Sequence, residues 1–463
     1  MLQNTICAVA TPPGEGGVAV IRISGDEALK IMKTVFLPKS KTAADFNPLP
    51  RYLYFGFVKN GEGGILDEAL AVYMPAPHSY TGEDVVEIQC HGGYVVTQEI
   101  IKALLAAGAV MAEPGEFTQR AFINGRLNLT QAEAVIDIIQ AKSAAALEIS
   151  EKQLSGRLGQ TIMAENDKLL DVLAQIEVAV DYPEEEQDIW QQLRLSERLG
   201  EVLAAVENLL KTADDGKIYR EGLLTAIVGP ANAGKSTLLN ALLCEERAIV
   251  TDIAGTTRDT IEEYFNISGV PVRLVDTAGI RETSDVVEAA GVRKSREKMA
   301  EAQLVLLVWD VCRPLDDEWR RIIDENSDRA LILLLNKTDL LKDGAEKAVE
   351  KWRRDFSGLT VLPLSARNSG GIEELKSEIY RLAVGGNIDR DSLNGLVNDR
   401  QKSALLRAAS HLREAISAYD AGMEGSMISI DIQGAWEALA EITGGVTSDD
   451  IIDRVFSRFC LGK

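Results

Sequence analysis

Apolar positions along the chain change their spacing three times, and each change marks a shift of architecture. From Leu2 to about Arg120, short β-rich runs such as Val18–Ile23 and Val85–Gln89 alternate with Pro/Gly turns, which predicts an α+β domain with few helices. From Thr118 to Asp214 the spacing lengthens to three and four residues, as in Ala132–Ile139 and Leu169–Ala179, and predicts long helices. The acidic run DYPEEEQD (Asp181–Asp188) interrupts them and reads as a solvated connection. From Gly222 to Val384, continuous apolar strands alternate with helical segments, the pattern of a parallel sheet flanked by helices. Helical spacing returns from about Asp389 to Phe459.

Helix on both sides of a complete α/β unit predicts an insertion, because the ends of a domain commonly lie close together and tolerate grafting. The expected units are an N-terminal α+β domain at 1–120, a helical domain in two parts at 121–218 and 386–463, and an α/β nucleotide domain at 219–385 set between those parts. A length of 463 residues agrees with more than one core.

Inside the α/β unit, the strand LLTAIV (Leu223–Val228) runs into GPANAGKS (Gly229–Ser236) and a helical TLLNALL. Such a loop wraps phosphates with backbone N–H groups; here Asn232, Ala233, Gly234, Lys235, Ser236 and Thr237 face the nucleotide, Lys235 reaching the β- and γ-phosphates and Ser236 ligating Mg²⁺. The strand VRLVDTAG carries Asp276, Thr277, Ala278 and Gly279, with Asp276 positioned to hold the Mg²⁺ hydration shell and Gly279 to offer its N–H to the γ-phosphate. NKTD supplies Asn336, Lys337 and Asp339, and SAR supplies Ser365, Ala366 and Arg367. The Asp339 carboxylate accepts from guanine N1–H and the 2-amino group, whereas adenine leaves it unpaired, so the base is guanine and an ATPase is excluded.

A glutamine directly after the DxxG glycine orients the attacking water in Ras-like switches. Ile280 stands here, so the polar help comes from elsewhere, and the nearby segment offers Arg281, Glu282, Asp285 and Glu288 without a way to choose among them. A switch-like loop (Thr251, Asp252, Ile253, Ala254, Gly255, Thr256 and Thr257) precedes this strand, and Thr257 can complete the Mg²⁺ shell. Its carbonyls and hydroxyls, with Asn232, make an all-oxygen set able to hold a monovalent ion in place of an arginine finger. Asn232 reads equally well as a residue that only stabilises the loop.

Charge narrows the partners. A net charge of -22 repels polyanions at long range, so DNA is not expected and an RNA is held only through local basic patches or a partner. Five scattered cysteines without a CxxC pair argue against a disulfide framework or zinc site. No apolar stretch approaches the roughly 18 residues of a membrane span, and the start MLQNTICAVATPP lacks a secretory pattern, which predicts a cytoplasmic protein.

Beyond the nucleotide motifs, the chain carries ATPPGEGGVAVIRISG (Ala10–Gly25), YTGEDVVEIQCHGG (Tyr80–Gly93), PGEFTQRAFINGRLNLTQAEAV (Pro114–Val135), TDIAGTTRD, DTAGIRETSDVVE and the terminal FCLGK (Phe459–Lys463). In these it resembles the MnmE (TrmE) family of tRNA-modification GTPases across all three regions. The resemblance implies a Ras-like P-loop GTPase domain inserted in an all-helical domain, behind an N-terminal α+β tetrahydrofolate-binding domain. It implies potassium activation with K⁺ on Asn232, Thr251, Ile253 and Thr256, Mg²⁺ on Ser236 and Thr257, and water positioned by Glu288. It implies folate contacts at Arg22, Glu87, Arg126 and Lys463 to a 5-formyl- or 5,10-methylene-tetrahydrofolate, a functional Cys460, and a homodimer. It further implies a heterotetramer or larger assembly with an MnmG-like partner that carries FAD and uses NADH, modifying C5 of the wobble uridine of certain tRNAs with an aminomethyl-type group. FAD belongs to the partner, because this chain has no GxGxxG strand–helix fingerprint. The rival reading is a regulatory switch of the ribosome-assembly type without modification chemistry; the acidic balance and the N-terminal domain speak against it.

Overall fold

The computed structural model describes residues 4–39, 46–181, 194–245, 263–275, 299–326, 329–341, 345–384, 397–460 and 462–463. The run Tyr182–Asp188, the switch-like loop Thr251–Thr257 and the segment Asp276–Glu288 lie outside them.

The N-terminal unit is built from β1 (Ile6–Val9), β2 (Ala19–Ser24), α1 (Ala28–Val35), β3 (Phe36–Pro38), β4 (Tyr54–Lys59), β5 (Ile65–Met74), β6 (Val85–Cys90), α2 (Tyr94–Ala106), β7 (Val110–Met111) and α3 (Glu116–Ile123). Its strands form one sheet in the order β3-β4-β5-β6-β2-β1-β7. Alternation divides the residues of β2 between two faces: Ile21 and Ile23 join Ile31, Met32, Ile88, Ile100 and Leu104 in a core under α1 and α2, while Arg22 faces the other way. Register sets Arg22 of β2 directly opposite Glu87 of β6.

Four helices follow, α4 (Leu129–Gln140), α5 (Ala144–Leu154), α6 (Arg157–Asp181) and α7 (Leu195–Glu221). Then come β8 (Leu223–Val228), α8 (Lys235–Glu245), β9 (Glu263–Ile267), β10 (Val270–Leu274), β11 (Leu304–Asp310), α9 (Asp317–Glu325), β12 (Ala330–Asn336), α10 (Ala345–Asp355), β13 (Thr360–Pro363) and α11 (Ile372–Ala383). The sheet order is β13-β12-β11-β8-β10-β9, parallel except for β9 against β10. Strand β11 is buried at every position, as a central strand covered on both faces must be.

The chain returns to helix with α12 (Asp399–Asp420), α13 (Gly425–Thr443) and α14 (Asp449–Phe456). One apolar core joins Leu169 and Val172 of α6, Leu199 and Val202 of α7, Leu405 and Leu412 of α12, and Ile432 and Leu439 of α13. Segments from both sides of the α/β unit therefore share a single domain. Both α4 and α12 begin with an asparagine capping box, Asn128 with Gln131 and Asn398 with Gln401.

At the base of the inserted unit, Asp137 of α4 lies between Arg220 and Glu221 of α7's last turn, Glu133, and Arg458 beyond α14. Burial, reinforced by Glu133 and Glu221 against the pull of Arg220 and Arg458, pushes its carboxyl up to about 6. The ordinary value is about 3.9, so between these limits the folded chain binds the extra proton and stability falls as pH rises. Above pH 6 the full cost of ionising Asp137 is present. Asp137→Asn is therefore expected to exceed the parent in stability by on the order of 2 kcal/mol at pH 7.5, the two converging near pH 3.5; denaturant melts at both pH values check it, and equal midpoints at pH 7.5 would refute it.

Candidate functional sites

The loop 229–236 between β8 and α8 is folded around its own lysine: Lys235 Nζ donates to the carbonyls of Gly229 (2.8 Å) and Pro230 (2.7 Å). Asn232 adopts a left-handed backbone (φ 62°) with its side chain exposed at the loop's outer edge. Ala233 is buried, Gly234, Lys235 and Ser236 are half-buried, and Thr237 is exposed in the first turn of α8.

Asn336, 3% exposed at the end of β12, fastens this loop to its neighbour. Its Nδ2 donates to Ala233 O (2.8 Å) and its Oδ1 accepts from Ala366 N (3.0 Å), which fixes both ends of the amide. Gly234 is required there, since a Cβ would stand 2.2 Å from Asn336 Nδ2. Ser365 Oγ donates to Asp339 Oδ1 (2.7 Å), holding the exposed Asp339 carboxylate in place, and Thr338 N–H bonds Leu364 O (3.1 Å). Arg367 is exposed beside them. The loops after β8, β12 and β13 thus meet at one point, on the carboxyl side of the strands where open α/β sheets bind ligands.

The sequence reading missed Asp310 at the end of β11. Its Oδ2 accepts from Lys337 Nζ at 2.7 Å, and its Oδ1 accepts from Cys312 N–H at 3.0 Å. Burial raises its carboxyl, yet Lys337 and the Cys312 N–H outweigh burial and hold it below the ordinary range. An ionised Asp310 anchors the Lys337 ammonium and stretches its stem across the NKTD loop. An acid closing an apolar strand was the available signal, the same one that singled out Asp276.

A second cluster occupies the outer face of the N-terminal sheet. Arg22 Nε and Nη2 both donate to Glu87 Oε1, at 2.9 and 2.8 Å, while Nη1 is buried with no partner among the described residues. The guanidinium lies over Tyr80 (5.0 Å) and Phe117 (5.7 Å), and Arg126 reaches the same Tyr80 ring from outside (5.6 Å). Lys463 arrives from the far end of the chain because Gly462 presses onto β1, where a Cβ would stand 2.3 Å from Val9 O. Burial and the adjacent Arg22 hold the Lys463 ammonium below the ordinary lysine range, against the pull of Glu87. Cys460 is exposed, and its carbonyl accepts from Lys463 N–H (3.4 Å).

Arg120, 2% exposed, braces the Tyr80 loop by donating to Glu116 Oε1 (2.7 Å) and Glu83 Oε2 (3.1 Å). Glu83 in turn accepts from Ser24 Oγ (2.7 Å) on β2. Tyr80, Phe117 and Arg120 all lie inside the quoted motifs, but only tertiary contact reveals their parts.

Two family descriptions match the chain: the N-terminus of the GTP-binding protein TrmE over residues 5–126 and the MnmE helical domain over residues 129–460. The chain is 43% identical over 463 residues to the tRNA modification GTPase MnmE of Clostridioides difficile (strain 630), with 100% of both chains covered. It is 44% identical over 465 residues to that of Desulforamulus reducens, again with 100% of both covered. Among solved structures, the FeoB G-domain from Methanococcus jannaschii is similar over 35% of this chain and 97% of its own, at 28% identity and a TM-score of 0.26.

The Asp339 geometry generates a base-specificity test. An amide at this position offers one acceptor and one donor, matching the N1–H and 2-carbonyl of xanthine in place of guanine's two donors. Asp339→Asn is expected to lose GTP affinity by about 100-fold and gain for xanthosine triphosphate; competition binding with both nucleotides measures it, and an unchanged preference for GTP would show that another group reads the base.

Proposed function

Since the chain belongs to the MnmE (TrmE) family of tRNA modification GTPases and is a GTP hydrolase, we propose that its hydrolytic cycle serves to install an aminomethyl-type group, carboxymethylaminomethyl included, on C5 of the wobble uridine of certain tRNAs. The working form is a cytoplasmic homodimer joined to an MnmG-like partner that carries FAD and uses NADH. Within the chain, 1–120 is the folate-binding and dimerisation unit, 219–385 the G domain, and 121–218 with 386–463 the helical domain.

The observation that carries this reading is the unpartnered Arg22 Nη1 beside Glu87 and Lys463. A buried guanidinium N–H without an acceptor is costly, and an anionic or carbonyl-bearing ligand would satisfy it. Glu87 can accept from the N3–H and 2-amino group of a pterin, and cations such as Arg126 and Lys463 suit a folate carboxylate tail. These residues fit a one-carbon tetrahydrofolate, which supplies the carbon unit when bound. Arg22 and Glu87 orient the pterin, Tyr80 and Phe117 shield it, and Cys460 takes part from the chain end.

At the nucleotide, Ser236 and Thr257 hold Mg²⁺, with Asp276 behind its waters. K⁺ held by Asn232, Thr251, Ile253 and Thr256 supplies the charge that an arginine finger supplies elsewhere, and Glu288 positions the water. The exposed, left-handed Asn232 supports this ion-binding role over a purely structural one.

Three measurements test the reading. Mass spectrometry of tRNA from cells lacking the gene should show wobble uridines without the C5 group, and unmodified levels equal to the parent strain would sink it. GTPase activity should fall at least about tenfold when Na⁺ replaces K⁺ at constant ionic strength, whereas equal rates would discard the ion. Calorimetry with 5-formyltetrahydrofolate should show binding that Glu87→Ala weakens about 30-fold or more, and undiminished binding would remove Glu87 from the site.

A further inference from the structure

We propose that His411, Glu414 and Asp431 form a site for one borderline divalent cation of the Zn²⁺ class, clamping α12 to α13. One donor atom from each of the three lies within 4.8 Å of the others. His411 and Glu414 are three residues apart and so share a face of α12, and Asp431 approaches from α13. Paired His and carboxylate side chains on facing helices are how bundles build metal centres.

The His411–Asp431 distance suits ligation better than pairing. His411 Nδ1 and Asp431 Oδ1 stand 3.4 Å apart. That is long for a charge-assisted hydrogen bond, which runs about 2.7–2.9 Å. It is about the separation kept by two ligands of one tetrahedral ion, each roughly 2.1 Å from it. Among the described residues, Glu414 accepts only from Ser410 Oγ (3.1 Å), and no lysine or arginine pairs with either carboxylate. Two like charges thus converge on a neutral-capable imidazole without a cation between them, while Arg407 and Arg413 on the same helix are drawn off to Glu441 and Glu207.

The imidazole is also seated. Gly434, one helical turn beyond Asp431, leaves a gap in the face of α13 into which the ring fits: a Cβ there would come within 2.9–3.0 Å of three ring atoms. A glycine inside a helix is disfavoured relative to alanine, and here the space it opens is filled by the ring. One nitrogen and two carboxylate oxygens favour Zn²⁺, Co²⁺ or Ni²⁺ over Mg²⁺ and Ca²⁺, which take all-oxygen sets, and two negative charges balance the ion. Three protein ligands leave a further position for water.

The test uses untagged, nucleotide-free, full-length protein stripped with a chelator. Titration with Co²⁺, followed by its visible d–d absorption, and with Zn²⁺ by calorimetry should show one equivalent bound per chain at this site. His411→Ala and Asp431→Asn should each weaken it at least tenfold, and Gly434→Ala should weaken it by displacing the ring. Zn²⁺ should raise the melting temperature of the parent chain and not of His411→Ala. His91 with Asp67, an exposed pair 2.7 Å apart, is the competing site, so His91→Ala is made as well. Binding and thermal protection undiminished in a folded His411→Ala protein, or lost only in His91→Ala, would overturn the assignment.

Discussion

Glu133 and Arg400 are 267 positions apart in sequence, and their ion pair holds the two halves of the helical domain together. Arg400 grips both carboxylate oxygens at 2.9 Å and also donates to the carbonyls of Glu441 and Ile442, the last turn of α13. Gln401 adds a bond to the same carboxylate at 2.6 Å. All three guanidinium nitrogens of this partly buried cation are therefore engaged. Stripping one partner from such a pair costs about 3–5 kcal/mol, because the other charge stays buried and unpaired. Through this knot α4, which continues from the N-terminal unit, is fixed to helices made after the G domain.

Both functional clusters rest on that arrangement. Phe456 and Phe459 pack against Phe122, Leu129 and Ala132, so the segment after α14 is laid along α3 and α4. This brings Lys463 to Arg22 and Glu87. On the other side, α7 ends in Arg220 and Glu221 directly before β8, and Asp137 feels both of these and Arg458 of the tail. One carboxylate of α4 thus stands between the stem of the nucleotide domain and the C-terminal segment that completes the Arg22–Glu87 cluster.

What the sequence made legible was local chemistry. The P-loop, NKTD and SAR are contiguous runs at strand ends, and the period of apolar residues located those strands almost to the residue, Leu223–Val228 among them. The parts played by Tyr80 and Phe117 were invisible because Arg22 meets those rings only across the sheet, and the strand-end acid Asp310 gained meaning only from Lys337, 27 positions away. The same limit hid the Glu133–Arg400 pair, since neither residue stands out among 120 charged side chains of the two signs, 49 basic and 71 acidic. Motif resemblance reached Arg22, Glu87 and Lys463 where spacing could not, and the geometry gathers those three into one cluster.

The 267-residue gap also has a consequence in time. At synthesis rates of about 5–20 residues per second, tens of seconds separate the appearance of Glu133 from that of Arg400. Over that interval the G domain, whose core borrows only Ala145 and Ile149 of the earlier-made α5, can close, while α6 and α7 wait with Leu169, Val172, Leu199 and Val202 uncovered. A nascent chain of this protein holds a finished nucleotide fold on top of an unfinished support. The long wait makes the apolar faces of α6 and α7 the part of the newborn chain most in need of a chaperone.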